Sequence, residues 1–449
     1  MNAFAAPPGP RERIPGATVV SFYRDPVGSL ARMADQYGDV ARFRWGPRHE
    51  YLLNHPDLIE QVLVTEQRSF MKGQALQETK RILGEGLLTS EGDFHLRQRR
   101  LMQPLFHRRR IGEYGDEMVE CASALQARWR DGETRDIHEE MTRLTLAVVG
   151  RVLFAADLER EAAEVGSALT EAMESLQRFM LPFYGALERL PLPGPRRVRD
   201  SRRRLDLTIH RLLAERRASP GGTDLLSLLL EARDENGEPM PDTQIRDEAM
   251  TIFLAGHETT AVTLTWTWML LSRHPDVERR LHEELDAVLD RRPPTVHDLP
   301  KLTYTDTVLR EALRIYPPAW LIGRRALVDV ELGGFSVPAG SIVILSPWVT
   351  HRDARFFHEP LRFDPDRWTG TAEAERPPFS YFPFGGGIRR CIGESFALME
   401  AKLLLASIAQ RWRLRLDPAQ AVDVLPRITL RPRYGMRMRL EARTGSSIR

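Results

Sequence analysis

The spacing of apolar residues along the chain predicts a protein built mainly from helices. Residues 116–217 repeat apolar positions at helical intervals almost throughout, with a proline-rich break at residues 190–195. A second pattern predicts one helix that starts at Asp242, as its N-cap, and continues to His274, where Pro275 stops it. Its roughly 32 residues would span about 48 Å, which is enough to cross a whole domain.

Shorter stretches in which apolar and polar residues alternate predict a small β lobe. They follow a helix predicted over residues 26–37, whereas residues 68–92 are interrupted by glycine and predicted to be irregular. The alternation typical of strands occurs at residues 40–43, 51–53, 428–430 and 436–439. The predicted fold class is therefore mainly α with a small β lobe.

The composition is that of a soluble globular protein. Of 449 residues, 42% are hydrophobic and 28% are charged, and the formal net charge is +2. A net charge this small argues against general nucleic-acid binding. No linker separates autonomous cores, so we expect one unit over residues 1–449 that includes a proline-rich N-terminal arm at residues 1–25.

The N-terminus and the cysteine content predict where the protein works. Residues 1–16 carry four prolines and contain neither an apolar run nor a signal-peptide core. A membrane span needs ~20 apolar residues, so we expect no membrane anchor. The two cysteines, Cys121 and Cys391, are far apart in sequence, so we expect no disulfide framework and a cytoplasmic location.

Cys391 stands in a glycine-rich turn directly before a predicted helix. The three glycines at residues 385–387 allow positive φ angles and a close approach to a flat ligand. The helix is predicted to begin at Glu394, and its N-terminal amides and dipole would favour a thiolate over a thiol. The positive charges of Arg389 and Arg390 would also favour the thiolate of Cys391.

The spacing around Cys391 excludes most other uses of a thiolate. No second cysteine stands at zinc or redox spacing, and no histidine follows to attach haem covalently. Residues 385–390 match neither the dinucleotide loop nor the phosphate loop. A thiolate ligand to haem iron remains, beside the alternative of a buried structural cysteine. The turn resembles the haem-binding signature of the cytochrome P450 family, which is carried here by Phe384, Gly387, Arg389, Cys391 and Gly393.

Two basic residues share a face of a helix predicted to begin near residue 92. His95 and Arg99 are four residues apart, and two cations on one face would attract an anion. The alternative is a solvated basic face. The resemblance implies that both residues bind a haem propionate, and that Arg324 and Arg389 also contact the propionates.

The middle of the long helix interrupts the apolar pattern with glycine, an acid and two threonines. Ala255 and Gly256 would leave room beside the helix, and Thr259 can bond to the carbonyl of Ala255 and open the helical ladder. These residues resemble the oxygen-binding motif of the family. The resemblance implies that Glu258 and Thr259 are catalytic and guide protons.

Glu311 and Arg314 are placed to pair within one turn of a predicted helix. Their apolar neighbours indicate a buried setting, in which an arginine needs several partners, although an ordinary surface pair is the alternative. The resemblance implies a structural network completed by Arg367.

The resemblance further implies a helical prism with a substrate pocket above the haem. It places apolar residues 179–184 in the roof of that pocket. The other residues it assigns to the pocket are Ala255, Ala319, Leu321 and Ile322.

The resemblance implies that the chain is a bacterial-type haem-thiolate monooxygenase. It would hold haem b, with Cys391 as the iron ligand, and insert one oxygen atom from O₂ into an apolar terpenoid, fatty acid or macrolide. The expected reaction is a hydroxylation or an epoxidation. A haem sensor or ligand carrier, and a peroxide-driven oxygenase or isomerase, are the alternatives.

The electrons are expected from NAD(P)H through a separate ferredoxin or flavodoxin-type partner, because no flavin or iron–sulfur segment is recognisable. Basic residues near Cys391, among them Arg97, Arg100 and residues 108–110, are expected to dock that acidic carrier. A solvated surface without a partner is the alternative.

Overall fold

The computed structural model describes residues 6–443 apart from residues 13, 15, 47, 155–192, 220, 223, 235 and 371–373. The predicted pocket roof at residues 179–184 therefore lies outside the described residues. Within the described residues, helices dominate and the strands form small sheets, as the apolar pattern predicts.

The elements are numbered here in chain order. The α-helices are α1 (Ala17–Arg24), α2 (Pro26–Tyr37), α3 (Pro56–Glu60), α4 (Gln74–Glu78), α5 (Lys80–Leu83), α6 (Gly92–Met102), α7 (Arg108–Gly112), α8 (Gly115–Gln126), α9 (Ile137–Phe154), α10 (Pro193–Ala218), α11 (Leu225–Glu231), α12 (Asp242–Arg273), α13 (Pro275–Leu289), α14 (Thr303–Ile315), α15 (Pro347–Thr350) and α16 (Glu394–Ala409). The strands are β1 (Val40–Trp45), β2 (Arg48–Leu53), β3 (Phe70–Lys72), β4 (Thr134–Asp136), β5 (Ile322–Ala326), β6 (Val330–Leu332), β7 (Phe335–Val337), β8 (Ile342–Leu345), β9 (Trp412–Leu416), β10 (Val424–Pro426), β11 (Leu430–Pro432) and β12 (Arg437–Ala442).

The long helix α12 lies at the centre of the helical part. It has 32 residues, as predicted, and it packs against α9, α10, α11, α13, α14 and α16. The predicted N-cap is wrong by one residue. Pro241 occupies the cap in an extended conformation that suits proline, and Asp242 is the first helical residue. The Asp242 carboxylate forms an exposed ion pair with Arg217 instead of capping the helix.

The β lobe contains a five-stranded sheet in the order β1-β2-β8-β5-β3. Strands β2 and β8 are parallel, and the other neighbours are antiparallel. Both faces are covered by apolar clusters, one containing Val343 and Phe382 and the other containing Trp320 and Ile344. In the pairing of β3 with β5, Lys72 lies opposite Arg324, so this edge of the sheet brings two cations together.

Two segments contain more regular structure than the sequence indicates. The predicted N-terminal arm includes helix α1, and the Pro8 carbonyl accepts a hydrogen bond of 2.8 Å from the Arg42 amide of β1. Residues 68–92 contain β3, α4 and α5, so the prediction of an irregular segment is wrong there. The local pattern missed β3 because its three residues are ordered by pairing with the distant strand β5.

Candidate active site

The Cys391 turn is held by backbone hydrogen bonds and by two glycines with positive φ. The Cys391 amide donates to the Phe384 carbonyl at 2.9 Å, and α16 begins three residues later, as predicted. Gly385 and Gly387 have φ of 69° and 64°. A Cβ on Gly387 would lie 1.9 Å from the carbonyl oxygen of Leu63, so a side chain is excluded there.

The third glycine serves packing and does not require the left-handed region. Gly386 has φ of −161°, which any residue adopts, so two of the three glycines use the positive φ that all three allow. A Cβ on Gly386 would lie 2.4 Å from the ring of Phe379. The turn therefore needs glycine at this position because an aromatic ring lies against the backbone.

The thiolate state of Cys391 stays a prediction, because the chain alone favours the thiol. Although Cys391 keeps exposed surface, desolvation by the surrounding chain and the nearby Glu394 raise the pKa of its thiol, and the Gly393 amide, Arg99 and Arg390 oppose that rise without cancelling it. The Arg389 guanidinium pairs with Glu91 at 2.6 Å, and its predicted effect on Cys391 stays a prediction. The helix dipole and the nearby cations favour a thiolate, whereas desolvation disfavours the charged form of the cysteine.

Glu311 and Arg314 form the core of a buried ion network, as predicted. Arg314 donates two hydrogen bonds of 2.8 Å to the Glu311 carboxylate, and neither side chain is exposed. Arg367 and Trp368 donate to the same carboxylate at 3.1 and 3.0 Å. The surface-pair alternative is therefore wrong, and the network satisfies the several partners that a buried arginine requires.

This network connects to the cysteine turn through one histidine. Arg314 donates to the backbone carbonyl of His351 at 2.7 Å. The His351 ring is buried, and its Nε2 accepts the amide of Phe382 at 2.9 Å. Phe382 in turn accepts the amide of Gly385 at 3.0 Å. The ion network thus fixes the backbone that leads into the turn of Cys391.

A cluster of buried basic side chains lies between β3, β5, α6 and the cysteine turn. Its members are Lys72, His95, Arg324 and Arg389. The Lys72 ammonium donates to the carbonyls of Leu87 and Ser90 at 2.9 and 2.7 Å, and it lies 3.4 Å from Nδ1 of His95. Among the described residues, Glu91 is the one carboxylate that pairs with the cluster, through Arg389.

The electrostatics of this cluster correct the predicted charge of His95. Burial, followed by the neighbouring Lys72 and Arg389, lowers the pKa of His95 to about 4, so the ring is neutral and not a cation. Burial also lowers the pKa of Lys72 to about 7 and that of Arg324 to about 10. The cluster therefore holds more buried cationic groups than its single carboxylate can balance.

Arg99 lies on the same helix as His95 but turns toward the cysteine. Its guanidinium donates to the backbone carbonyl of Arg390 at 2.7 Å. Burial lowers the pKa of Arg99, and the nearby Cys391 opposes this shift. The structure thus joins α6 to the cysteine turn, while the predicted contact of Arg99 with a propionate stays a prediction.

The middle of α12 presents small and polar side chains beside its buried apolar residues. Ala255 is exposed although Leu254 is buried, and the Thr259 hydroxyl donates to the Ala255 carbonyl at 2.9 Å, as predicted. The helix nevertheless stays continuous, so the predicted opening of its ladder is not seen. A Cβ on Gly256 would lie 3.1 Å from Val149, so the predicted room exists beside Ala255 but not beside Gly256.

Glu258 is held on the buried side of α12 by partners from the C-terminal tail. Its carboxylate accepts a hydrogen bond from Arg431 at 2.7 Å and another from the Thr429 hydroxyl. Burial alone would raise the pKa of Glu258, but Arg431 and Thr429 together lower it. Glu258 is therefore ionised at neutral pH, and its proton-guiding role stays a prediction.

The other predicted pocket residues are half-buried. Ile322 is near the cysteine turn, because its Cδ1 would lie 3.8 Å from a Cβ placed on Gly385. Leu321 packs against the apolar cluster that contains Trp320. Contact of Ala255, Ala319, Leu321 and Ile322 with a substrate stays a prediction.

Comparison with known proteins identifies the family. The cytochrome P450 family matches residues 7–435 of the chain. Cyclooctatin synthase of Streptomyces melanosporofaciens is 43% identical over 411 residues, covering 91% of this chain and 89% of that protein. Pentalenene oxygenase of Streptomyces avermitilis is 40% identical over 439 residues, covering 96% and 97%. This chain belongs to the cytochrome P450 family.

Two further comparisons agree with that membership. Cyclooctat-9-en-7-ol 5-monooxygenase of Streptomyces melanosporofaciens is 38% identical over 402 residues, covering 89% of this cytochrome P450 and 87% of that protein. The crystal structure of the cytochrome P450DA haem domain has a TM-score of 0.90 and 29% identity, with 99% of each chain covered. The predicted fold and the predicted enzyme class, a cytochrome P450 monooxygenase, are therefore confirmed.

The side chains of this cytochrome P450 fit the haem that the family implies. Nε2 of His95 and Nε of Arg389 are buried and have no hydrogen-bond partner among the described residues. Together with Lys72 and Arg324, they form a group of donors that two propionate carboxylates would satisfy. Cys391, two residues after Arg389 in the glycine-rich turn, would be the iron ligand.

Sequence reasoning missed several residues of the site. Lys72 was the clearest omission, although a lysine between the apolar strand residues Phe70 and Met71 and the following Gly73 is unusual. Arg431 and Thr429, the partners of Glu258, stand in the tail and gave no local signal. Tertiary contact alone brings them to α12.

One structural finding bears on membrane association. Among the described residues of this cytochrome P450, no helix combines the length and the apolar character that crossing a bilayer requires.

Proposed function

We propose that this monooxygenase inserts one oxygen atom from O₂ into a terpenoid by hydroxylation or epoxidation. The observation that supports an apolar substrate is the exposed Ala255 in the middle of the otherwise buried helix α12. Ala255 lies four residues before Thr259 on the same face of the helix, and its methyl group offers an apolar contact surface there. The choice of terpenoids rests on the relatives, which oxidise terpenoids.

The cofactor would be haem b, held by groups that the structure brings together. Cys391 would ligate the iron, and Lys72, His95, Arg324 and Arg389 would bind the propionates, with Arg99 supporting the cysteine turn and, as predicted, contributing to propionate binding. Haem with a thiolate ligand supplies O–O bond cleavage. Because the basic cluster has a single carboxylate, propionates would supply the missing negative charge.

The protein's own part in proton delivery would lie on α12. The Thr259 hydroxyl donates to the Ala255 carbonyl, so its oxygen can accept a hydrogen bond from water on the exposed face of the helix. Glu258, ionised and paired with Arg431, would attract and orient the protons that reach this face. Thr259 and Glu258 would therefore act at different points of one route.

Electrons would reach the haem from NAD(P)H through a separate acidic ferredoxin or flavodoxin. Helix α7 packs against α16, and α6 is joined to the cysteine turn by Arg99, so these elements surround the thiolate side. Their exposed arginines on this side include Arg97, Arg100, Arg109 and Arg390. This surface, called the thiolate-side basic surface below, suits an acidic partner. A cytoplasmic location stays a prediction from the cysteine content.

The proposal is tested by spectral titration of the purified protein against a library of terpenoids, fatty acids and macrolides. A displaced iron ligand changes the haem absorption band, so binding is seen without turnover. Hits are then incubated with ¹⁸O₂, NADPH and a surrogate ferredoxin system, and products are analysed by mass spectrometry. We expect terpenoid products with one ¹⁸O atom. Selective binding and oxidation of fatty acids or macrolides would contradict the substrate class.

A further inference from the structure

Glu400 is an acid on the apolar face of α16, the helix that follows Cys391. It lies four residues after Phe396 and three before Leu403, so it shares their buried stripe. Its side chain is completely buried, and neither carboxyl oxygen has a hydrogen-bond partner among the described residues. Buried polar groups are nearly always paired, so this acid requires an explanation.

The surroundings of Glu400 contain one polar group that points to its use. Helix α16 packs against α8, α12 and α14. The Thr260 hydroxyl of α12 is also buried and also lacks a hydrogen-bond partner of normal geometry. It faces Glu400, because it is the one described side chain that opposes the rise in the pKa of this acid. Lys402 is occupied by Asp306 of α14, to which its ammonium pairs at 2.7 Å.

Glu400 is a neutral acid under ordinary conditions. Burial raises its pKa to about 8, and the Thr260 hydroxyl opposes this rise only in part. No salt bridge to Glu400 forms within the described residues. Glu258 is the contrasting acid, because it is ionised by its pairing with Arg431. Glu258 on α12 is therefore ionised at neutral pH, whereas Glu400 on the neighbouring helix α16 is protonated and neutral.

A structural role does not account for this arrangement. An apolar residue of similar volume in place of an unpaired buried carboxyl is usually neutral or stabilising, since it removes the desolvation cost. A costly group retained beside a functional segment is typical of a site where stability is given up for activity. The segment here is the pair Thr259 and Thr260.

We propose that Glu400, as a neutral carboxylic acid, pairs with the Thr260 hydroxyl in the working enzyme and thereby positions the Thr259 hydroxyl for proton delivery. A neutral acid can donate one hydrogen bond and accept others, so it can satisfy a hydroxyl without adding charge beside the haem. A hydrogen bond that holds Thr260 also fixes the rotation of this turn of α12. Because Thr259 directly precedes Thr260, the orientation of the Thr259 hydroxyl is fixed with it. Glu400 is thus a positioning residue, and its effect on turnover rests on the role proposed for Thr259.

The primary test is infrared spectroscopy of the haem-loaded protein at pH 7, which needs no substrate. The difference between wild type and Glu400→Gln should contain the C=O stretching band of a protonated carboxylic acid. Thr260→Val should shift that band, because the band reports the hydrogen bond of the acid. Absence of the band, or a band indifferent to Thr260→Val, overturns the proposal.

The second test separates positioning from packing. Glu400→Leu should unfold at the same or a higher temperature than wild type, because an unpaired polar group is removed. With the terpenoid selected by the binding screen, it should also give a several-fold smaller yield of product per NADPH, with the difference appearing as hydrogen peroxide. Glu400→Gln, which keeps a neutral hydrogen-bonding group, should restore most of the yield. An unchanged yield in Glu400→Leu overturns the proposal.

The infrared test and the yield test separate a failure of the Glu400 proposal from a failure of the proposed terpenoid oxidation. If no terpenoid is oxidised, the proposed substrate class fails while the infrared test still decides the state and the partner of Glu400. If Glu400→Leu does not fold with haem, Thr260→Val provides the yield measurement, and a wild-type yield in that variant contradicts the proposal.

Discussion

Arg314 and Glu311 meet through two hydrogen bonds of 2.8 Å, and neither side chain has any exposed surface. The same arginine reaches the carbonyl of His351, whose ring holds the amide of Phe382. A local ion pair on α14 therefore supports the backbone that carries Cys391. Damage to this pair should affect haem retention as well as stability.

The first prediction follows from the burial of this pair. Glu311→Gln leaves the Arg314 guanidinium buried without its counter-charge, so we expect the free energy of unfolding to fall by about 3–5 kcal/mol, with partial loss of haem. Denaturant titration with parallel haem absorbance measures both effects. Glu283→Gln is the matched control, because Glu283 pairs with Arg279 on the exposed face of α13. Exposed pairs contribute about 0–1 kcal/mol, and equal losses in the two variants would contradict the network.

The second prediction concerns Thr259. Thr259→Ala removes the hydroxyl that lies on the exposed face of α12, so substrate binding should persist while electrons are diverted to hydrogen peroxide. Product formed per NADPH consumed is the measurement. Thr259→Ser keeps the hydroxyl and should stay close to wild type. If the alanine variant is as well coupled as the serine variant, Thr259 is a packing residue only.

The third prediction concerns Lys72 and has a definite pH window. Burial lowers its pKa from the 10.5 of a free lysine side chain to about 7, so the folded state binds fewer protons than the unfolded state between these values. The destabilisation from burying the ammonium is thus fully present below about pH 7 and is relieved as the pH rises toward 10.5. Propionates would remove the shift by stabilising the charged form.

Binding of haem to the apoprotein at pH 8 should therefore take up a proton at Lys72, while Cys391 releases one as its thiol becomes the thiolate ligand. Calorimetric titrations in buffers of different ionisation enthalpy measure the number of protons exchanged. Lys72→Met should abolish this uptake and weaken haem retention, whereas Lys301→Met, at an exposed position, should change neither. The same number of protons exchanged in Lys72→Met and in wild type would show that this lysine does not face a propionate.

The fourth prediction tests the thiolate-side basic surface. First-electron transfer from an acidic ferredoxin should slow as salt shortens the screening length, which is about 10 Å at 0.1 M ionic strength. Arg109→Glu should slow it further with unchanged substrate affinity, and stopped-flow reduction measures the rate. Arg44→Glu is the control, because its strand β1 lies at the sheet edge opposite β3. Rates indifferent to salt and to Arg109→Glu would exclude this docking surface.

Much of this fold follows from local sequence patterns, and the site follows only in part. The long helix, the helix that begins at Glu394 and the pairing of Glu311 with Arg314 depend on short-range spacing, which is visible along the chain. The turn of Cys391 is likewise visible because three glycines and a cysteine are contiguous. Residues a few positions apart in sequence stay close together in the folded helix or turn, so these spacings predict the observed contacts.

The electrostatic state of the site could not be predicted, because burial decides it. The neutral ring of His95 and the raised pKa of Cys391 both result from desolvation, which depends on segments distant in sequence. The partners of Lys72 and Glu258 also come from distant segments. The state of Glu400 also depends on distant segments, because its burial results from the packing of α16 against α8, α12 and α14.

The central claim is that Cys391 ligates the haem iron as a thiolate. Cys121 cannot replace it, because Cys121 is buried in the helical core and burial raises its pKa to about 11. The control variant Cys121→Ser should therefore behave as wild type.

The decisive measurement is the carbon-monoxide difference spectrum of the reduced protein in wild type, Cys391→Ser and Cys121→Ser. We predict the red-shifted thiolate band in wild type and in Cys121→Ser, and its complete loss in Cys391→Ser. A thiolate band that persists in Cys391→Ser would contradict the assignment of Cys391 and, with it, the account of this site.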